Sequence, residues 1–315
     1  MLTFNQMSGM VPVKAGWYNA FRPWTLHGAI VPIVLAGFVA LHDAGFNWEI
    51  LDWFMFILVL IGGILLQSAA NLLNTYGDFE KGTDTVENHI RSPELVTGEL
   101  RPKDVRNAGF LCVGITALIG LVLLLYSGWW LLMIGLAGIF GVVMYTLGVS
   151  YKYLGLGQIS TFFLMGILMP VGTYYTMSGT MTWVPILLGL PNAFFLTGVL
   201  SGNETRDYHS DKEAGANTMS GHMSYEGALT YYRTINFIGY PILLIIVAVG
   251  VVPVTCLLAV FALYDYRKLY LNSKIEPMDK TSGFLLVPRA FTHNWHFGAL
   301  LAIGYLIGVG LPLLI

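Results

Sequence analysis

Charged side chains are scarce in this sequence, and cysteine is scarcer still. Lysine, arginine, aspartate and glutamate make up 11% of the 315 residues, whereas an ordinary soluble domain is about 25% charged. This shortage argues against a soluble globular domain, and the net charge of −2 provides no basis for a nucleic-acid partner. Both cysteines, Cys112 and Cys256, lie inside apolar runs. We interpret them as small core residues rather than as disulfide partners or metal ligands.

The N-terminal segment also lacks the short pattern of a secretory signal peptide. Apolar residues, in contrast, make up 56% of the chain and lie in long runs rather than in alternation with polar ones. A run of about 20 apolar residues crosses the hydrocarbon core as a helix, because backbone groups in lipid must be satisfied within the segment itself. The sequence therefore predicts an all-α, multi-pass integral membrane protein.

The apolar runs predict nine transmembrane helices, and only Pro253 and a short polar gap separate the seventh from the eighth. The predicted spans lie at about 25–42, 53–76, 107–127, 129–148, 157–178, 182–203, 229–250, 252–271 and 292–314.

With nine spans, all sixteen basic residues fall on one side of the membrane. The segments after the first, third, fifth, seventh and ninth spans contain none. Because cytoplasmic loops carry the excess of lysine and arginine, this predicts a cytoplasmic N-terminus and an external C-terminus. In a bacterium the location would be the inner (cytoplasmic) membrane. The sixteen are Lys14, Arg22, Lys81, Arg91, Arg101, Lys103, Arg106, Lys152, Arg206, Lys212, Arg233, Arg267, Lys268, Lys274, Lys280 and Arg289.

Two predicted spans end in a similar polar pattern. Asn74 and Asp78 are four residues apart, as are Asn203 and Asp207, and the two pairs are offset by 129 residues. The pattern indicates a weak internal repeat, with one acidic cluster in each half. The predicted bounds are 1–315 for a single transmembrane domain, and about 20–150 and 151–315 for its halves.

The first acidic cluster lies at 71–84 and reads N-L-L-N-T-Y-G-D-F-E-K-G-T-D. Asn71, Asn74 and Asp78 are spaced three and four residues apart, so they share one face of a helix. Glycines that follow loosen the helix, and we expect Asp84 to fold back toward Asp78.

The second acidic cluster places Asn203, Asp207 and Asp211 at i, i+4 and i+8. Carboxylates near the C-terminal end of a helix oppose its dipole, and Asp207 and Asp211 repel each other. Such groups at the membrane are costly and usually functional. Their oxygen atoms suit a hard cation such as Mg²⁺, which typically bridges to substrate phosphates. The alternative is that both clusters are solvated loop acids.

Basic and aromatic residues near the clusters fit the same chemistry. The basic residues are candidates to neutralise a diphosphate, although each of them also sets topology: Arg91, Lys152, Arg206 and Lys212. The tyrosine rings are candidates to face a carbocation, with an interfacial belt as the alternative: Tyr145, Tyr151, Tyr153, Tyr174 and Tyr175.

At these residues the sequence resembles the UbiA superfamily of intramembrane prenyltransferases, which have nine transmembrane helices and Asp-rich motifs on helices two and six. Asn74, Asp78 and Asp84 match the first motif, and Asp207 and Asp211 match the second. Within the superfamily the sequence looks most like the 1,4-dihydroxy-2-naphthoate prenyltransferases of menaquinone biosynthesis. This likeness lies in R-P-W-T-L at 22–26, N-x-Y-x-D-F-x-K-G-x-D at 74–84, Y-K-Y-L-G-L-G-Q at 151–158, G-T-Y-Y at 172–175 and R-D-Y-H-S-D-K-E-A-G-A-N-T at 206–218.

The resemblance implies Mg²⁺-dependent transfer of a polyprenyl group from a polyprenyl diphosphate to an aromatic acceptor. The likeness to the menaquinone branch implies that this acceptor is 1,4-dihydroxy-2-naphthoate. The enzyme would work within membrane lipid, and no obligate protein partner is inferred. The implied catalytic residues are Asp78, Asp84, Asp207 and Asp211, which with Asn74 and Asn203 would hold two Mg²⁺. The implied substrate-binding residues are Asn71, Asn74, Asn203, Tyr145 and Tyr151.

Two other functions stay open at this point. One is prenyl transfer to another acceptor, such as 4-hydroxybenzoate, homogentisate, haem or a glycerol lipid. The other is transport, against which the acids argue because they cluster at one membrane face rather than at the midplane. The sequence also departs from the menaquinone-branch pattern. Thr75 stands where most bacterial members have Asp, Glu204 replaces a usual Asn, and Gln158 replaces a usual Glu.

Overall fold

The computed structural model describes residues 16–83, 93–276 and 280–310. Within these residues every regular element is a helix, and a single isolated bridge between Leu154 and Asn217 is the only pairing of extended backbone. The predicted all-α fold class is therefore confirmed.

Thirteen helices make up the described part of the chain. They are α1 Trp17–Phe21, α2 His27–Asp43, α3 Ile50–Glu80, α4 Pro93–Val96, α5 Pro102–Ser127, α6 Trp130–Thr146, α7 Gly157–Ser178, α8 Val184–Arg206, α9 Tyr208–Glu213, α10 Tyr225–Ile235, α11 Gly239–Ala248, α12 Leu263–Asn272 and α13 Lys280–Gly310. A π-helical turn at Leu164–Leu168 interrupts α7. Short 3₁₀ helices occur at Pro23–Thr25, Tyr151–Tyr153, Ser220–His222 and Val254–Ala262.

Six stretches of the described residues are long and apolar enough to cross a membrane, and α6 is a shorter apolar helix. The six stretches overlap six of the predicted spans, and α6 corresponds to the predicted fourth span. The six stretches are Trp17–Asp43, Ile50–Glu80, Pro102–Ser127, Gly157–Ser178, Val184–Arg206 and Tyr225–Ala248. Large apolar side chains are exposed along α5 and α6, as at Leu118, Leu125 and Phe140, which is typical of a lipid-facing surface.

The predicted eighth span, at about 252–271, is not one α-helix. Its first half is the 3₁₀ helix Val254–Ala262, and α12 follows. A 3₁₀ helix is narrower than an α-helix, and here its backbone packs directly on α13. The Thr255 hydroxyl donates to the Gly304 carbonyl at 2.6 Å. A Cβ atom at Gly304 would lie only 2.4 Å from the Thr255 carbonyl oxygen.

The largest core lies where α2, α8, α11 and α13 meet. Leu35, Phe195, Leu243 and Phe297 are fully buried there. A smaller core joins α1, α3, α4 and α5. Between these two cores, α3 and α8 each bring their C-terminal ends to the same side of the bundle, where the two acidic clusters lie.

Candidate active site

Both acidic clusters, as far as the structure describes them, line one end of a single cavity of about 990 Å³. The residues from α3, α8 and α9 that do so are Asn71, Asn74, Asp78, Asn203, Asp207 and Asp211. Two predicted site residues, Asp84 and Arg91, lie outside the described residues. Helix periodicity places the members of each cluster on one face of its helix, and the packing of the helices around the cavity brings the two clusters to it.

Asp78 is a buried carboxylate with a dense set of donors. The Nζ atom of Lys152 donates to both of its oxygens at 2.7 Å, and to Asn74 Oδ1 at 3.1 Å. The Asn74 amide donates to Asp78 at 3.0 Å, and the Tyr153 hydroxyl also donates to it. Burying a carboxylate is tolerated when a cation and hydrogen bonds compensate it, and Lys152 supplies that cation. Lys152, predicted to contact diphosphate, is therefore part of the first acidic cluster.

Lys81, which the sequence indicated only as one of the sixteen basic residues on one side of the membrane, is a second cation at this cluster. It caps the C-terminal end of α3 and lies over the Tyr153 ring, 4.1 Å from the centroid. Partial burial lowers the pKa of the Lys81 ammonium, and the charge of Asp78 opposes that shift. The i, i+3 spacing from Asp78 is the signal that would have indicated it.

The second cluster is not one continuous helical stripe. Helix α8 ends at Arg206, with Asp207 as its cap, and Asp211 belongs to the short α9. Arg206 donates to both oxygens of Asp207 at 2.7 Å. Such a bidentate, charge-assisted pair offsets the repulsion expected between Asp207 and Asp211. Arg206 also lines the cavity.

Lys212, also predicted to contact diphosphate, lies elsewhere. Its Nζ atom donates to the Tyr208 hydroxyl at 2.6 Å and lies over the ring of the same residue. Lys212 is not among the residues that line the cavity. Of the described basic candidates, the structure thus brings Lys152 and Arg206 to the acids and leaves Lys212 packed on α9.

Arg22 is a cavity residue for which the sequence analysis proposed no role beyond topology. It adopts a left-handed backbone conformation, with φ at 50°, between α1 and the 3₁₀ turn that follows. Its Nη2 atom donates to the Thr75 hydroxyl at 3.0 Å. The Asn71 amide holds this turn by donating to the Phe21 carbonyl and to the Thr25 hydroxyl, both at 2.9 Å. Asn71 thus positions the R-P-W-T-L segment while lining the cavity.

The candidate tyrosines separate into two groups. Tyr145, Tyr151 and Tyr153 line the cavity, and the rings of Tyr145 and Tyr151 meet edge to face at 5.6 Å. Burial raises the pKa of the Tyr151 phenol, which stays neutral and donates to the Gly141 carbonyl. Tyr174 instead donates to Asp43 at 2.6 Å, and neither Tyr174 nor Tyr175 lines the cavity.

The departures at Gln158 and Glu204 form one contact. The Gln158 amide donates to the Glu204 carboxylate at 2.7 Å, and the backbone N–H of Ser220 donates to the same oxygen at 2.9 Å. Both side chains are buried. In this chain the buried amide is on α7 and the carboxylate is on α8. Through Ser220, Glu204 also holds the loop that carries Thr218 to the cavity wall.

No group of three or more histidine, cysteine, aspartate or glutamate side chains forms a ready metal site among the residues that the structure describes. Asp78 is engaged by Lys152, and Asp207 by Arg206. The candidate metal ligands of the two acidic clusters are oxygen atoms of carboxylate and amide groups, a set that fits a hard divalent cation such as Mg²⁺.

The model of the UbiA prenyltransferase family matches residues 29–295. This chain belongs to the UbiA prenyltransferase family. It is therefore a prenyltransferase, and its apolar helices identify it as an integral membrane protein. The predicted resemblance to this superfamily is confirmed.

The names of similar proteins support the branch within the family. The 1,4-dihydroxy-2-naphthoate octaprenyltransferase of Bacillus subtilis is 27% identical over 91% of this chain and 90% of its own length. The enzyme of the same name from Mycobacterium tuberculosis is 31% identical over 71% of this chain and 77% of its own. Human UbiA prenyltransferase domain-containing protein 1 is 30% identical over 72% of this chain and 66% of its own. The predicted likeness to the menaquinone branch is confirmed.

Solved structures share the fold at low sequence identity. A UbiA homologue from Aeropyrum pernix K1, in its apo form, superimposes with a TM-score of 0.63 at 14% identity, over 90% of this chain and 98% of that one. A UbiA homologue from Archaeoglobus fulgidus bound to DMAPP and Mg²⁺ has a TM-score of 0.53 at 14% identity, over 91% and 99%. Both show that the helical arrangement is that of UbiA proteins.

Proposed function

We propose that this chain transfers a polyprenyl group from a polyprenyl diphosphate to 1,4-dihydroxy-2-naphthoate. One observation carries the proposal. A single cavity joins a charged end, lined by Asp78, Lys152, Arg206 and Asp207, to a long apolar part. A polyprenyl diphosphate has the same two-part chemistry, a charged head and an apolar tail. The naphthoate acceptor is supported by the names of the relatives from Bacillus subtilis and Mycobacterium tuberculosis.

The charged end is arranged to receive the diphosphate. Lys152 and Arg206 pair with one acidic cluster each, and both line the cavity. Arg22 adds a third cation to the same lining. Preorganised positive groups stabilise the negative charge that develops on a leaving group, so these three residues orient the head and favour cleavage of its C–O bond. From the sequence prediction, Arg91 stays a further candidate.

The acids at this end supply the ligands for a divalent cation. The residues that would hold Mg²⁺ are Asn74, Asp78, Asn203, Asp207 and Asp211, with Asp84 as a predicted further ligand. Mg²⁺ held there would supply Lewis-acid neutralisation of the diphosphate charge. The Archaeoglobus fulgidus homologue binds Mg²⁺ together with DMAPP, which supports this assignment.

The aromatic side chains beside the acids are placed to stabilise the allylic cation that forms from the donor. The rings of Tyr145 and Tyr151 line the wall next to the charged end, and aromatic faces attract cations. They would stabilise an allylic cation while the surrounding helices exclude water, which limits its hydrolysis. The C–O bond of the donor has by then broken, and diphosphate has left with the bonding electrons. The electron-rich ring of the acceptor would attack the cation to form a C–C bond, and loss of the carboxylate as CO₂ would restore the aromatic ring.

We also propose nine membrane crossings, with the N-terminus cytoplasmic and the C-terminus external. The acid-lined end then faces the cytoplasm, and the charged groups of both substrates reach it from the aqueous side. The one-sided distribution of the sixteen basic residues supports this orientation. In a bacterium the enzyme would reside in the inner membrane.

Product mass tests the proposed reaction. Purified protein in detergent, given geranylgeranyl diphosphate and 1,4-dihydroxy-2-naphthoate with Mg²⁺, should form a prenylated naphthoquinol that has lost the carboxyl group. Excess chelator should abolish the product, and added Mg²⁺ should restore it. 4-Hydroxybenzoate serves as the control acceptor. Full activity in chelator contradicts the metal assignment, and preference for the control acceptor contradicts the naphthoate assignment.

A further inference from the structure

One acidic side chain that lines the cavity has no part in the proposed binding of metal or diphosphate. Glu204 lies on α8 three residues before Asp207, so it is about 4.5 Å farther from the end of that helix. Asp207 pairs with Arg206, but within the part of the chain that the structure describes no basic side chain forms an ion pair with Glu204. A buried carboxylate needs hydrogen-bond donors to compensate for lost hydration, and these must come from other groups.

The two oxygens of the Glu204 carboxylate have different surroundings. Oε2 accepts from the Gln158 amide at 2.7 Å and from the Ser220 N–H at 2.9 Å. No donor among the described residues reaches Oε1, and this atom is not enclosed by protein. A carboxylate oxygen only accepts hydrogen bonds. Oε1 therefore presents an acceptor to the cavity, and the two contacts to Oε2 hold it in place.

The hydroxyl of Tyr145 lies beside this oxygen. The hydroxyls of Tyr151 and Tyr153 donate to other protein groups, whereas that of Tyr145 makes no hydrogen bond to any residue that the structure describes. The Tyr145 hydroxyl and Glu204 Oε1 lie 3.5 Å and 3.6 Å from the point that a Cβ atom of Gly157 would occupy. The phenol can donate and the carboxylate oxygen can accept, so together they match a hydroxyl group, which does both.

The proposed reactants offer few groups that could donate to Glu204. The diphosphate and the carboxylate of the naphthoate are anions, which another carboxylate repels, and the polyprenyl tail has no polar hydrogen. Only the phenolic hydroxyls of the acceptor remain. The 1-hydroxyl lies next to the carboxylate of the same molecule and donates to it. The 4-hydroxyl is therefore the one that is free to donate to the protein.

Resting on the proposed function, we propose that Glu204 and Tyr145 recognise the 4-hydroxyl of the naphthoate acceptor. The hydroxyl donates to Glu204 Oε1 and accepts from the Tyr145 phenol. This contact orients the ring about one helical turn from Asp207, beside the end of the cavity where the diphosphate leaves. A quinone has a carbonyl at this position and cannot donate. The same two residues thus select the reduced, electron-rich form of the ring, the form that can attack a cation.

Glu204→Gln tests the contact by reversing the polarity of the atom that faces the cavity. The two N–H donors that converge on Oε2 hold the new amide oxygen there, so the NH₂ group takes the position of Oε1. Kd is measured for 1,4-dihydroxy-2-naphthoate and for 1-hydroxy-2-naphthoate, with the protein saturated with Mg²⁺ and an unreactive thiolo analogue of geranylgeranyl diphosphate. Wild type should bind the dihydroxy compound about tenfold more tightly or better, and the variant should lose this preference.

Tyr145→Phe removes the other partner and leaves the contacts of Glu204 to the protein intact. The ring is kept, and so is its edge-to-face contact with Tyr151. The preference for the dihydroxy compound should fall, but less than in Glu204→Gln, because a neutral donor contributes less than a charged acceptor. Glu99→Gln is the matched control, since Glu99 is exposed and does not line the cavity. It should keep the wild-type preference.

The outcomes that overturn the proposal are distinct. An undiminished preference in Glu204→Gln would show that Oε1 meets no hydroxyl. Equal weakening of both naphthoates would assign Glu204 a structural role, and equal binding of both by wild type would mean that the 4-hydroxyl is not recognised.

Donor binding and a second acceptor separate this inference from the proposed function. The shift in Tm produced by geranylgeranyl diphosphate alone should be the same in wild type and Glu204→Gln, and a smaller shift in the variant would place Glu204 at the diphosphate instead. If wild type prenylates 4-hydroxybenzoate and not the naphthoate, the proposed acceptor is wrong. Glu204 is then tested with 4-hydroxybenzoate against benzoate, where loss of the preference in Glu204→Gln supports hydroxyl recognition and its retention overturns it.

Discussion

At the scale of single residues, each acidic cluster carries its own counter-charge. Asp78 and Asp207 are buried, and each has a basic partner at 2.7 Å, Lys152 and Arg206 respectively. Removing one partner of a buried pair leaves an uncompensated charge, which costs about 3 kcal/mol or more. The pairs therefore hold the two carboxylates in place when the cavity holds no substrate.

The Gln158–Glu204 contact allows a direct test of a pair at this scale. Gln158→Glu places a second carboxylate beside Glu204 in a buried position, and should lower stability by about 3 kcal/mol because a donor is replaced by a like charge. The exchange variant, Gln158→Glu with Glu204→Gln, restores an amide donor opposite a carboxylate and should recover most of the loss. The measurement is Tm in detergent for both single variants and the double variant.

Glu204→Gln alone is the internal control, since an amide oxygen can still accept from Gln158 and from the Ser220 N–H. It should change Tm little. If the exchange variant is as unstable as Gln158→Glu alone, then the pair is not what holds the loop that carries Thr218, and the contact has another role.

At the scale of whole elements, the narrowest contact joins α13 to the 3₁₀ helix Val254–Ala262. At Gly304 a Cβ atom would lie 2.4 Å from a backbone oxygen, and at Gly308 it would lie 2.2 Å from the Pro253 side chain. Backbone cannot yield as a flexible side chain can. These two glycines therefore set the distance between the elements.

Gly304→Ala should accordingly destabilise the protein by about 1–3 kcal/mol, the usual cost of overpacking. Gly310→Ala is the matched control on the same helix, since its Cβ would meet no atom within 4 Å and alanine favours helix. Unfolding in detergent, followed by circular dichroism, measures both. Equal stability of the two variants would mean that α13 and the 3₁₀ helix separate at little cost.

At the scale of the whole molecule, the orientation in the membrane is open to labelling. A cysteine at Ala44, in the exposed turn after α2, should react with an impermeant thiol reagent from outside the cell. A cysteine at Glu99, exposed between α4 and α5, should react only after the membrane is opened. The native Cys112 and Cys256 are buried and contribute little background. Labelling of both sites from the same side would contradict the proposed topology.

Much of this architecture could be predicted because its signals are periodic. Apolar runs indicated the helices. The i, i+4 spacing indicated that Asn74 lies beside Asp78, and Asn203 beside Asp207, at helix ends. Features that depend on tertiary packing gave no such signal. The left-handed turn at Arg22 is maintained by Asn71, a residue distant in sequence. The breaks within the seventh and eighth predicted spans, and the position of Lys212 against Tyr208, arise in the same way from neighbours that a linear pattern does not reveal.

The continuity of the cavity, from the acid-lined end to its apolar part, has a consequence for turnover. Donor and product carry the same tail, so every apolar contact along α3 is made equally with both, and contacts of that kind stabilise both without favouring either. The two molecules differ only at the head, and in the proposed reaction it is the diphosphate, not the prenylated ring, that meets Lys152 and Arg206. Any difference in binding affinity between donor and product therefore comes from contacts at the charged end. The apolar end sets how long either molecule stays.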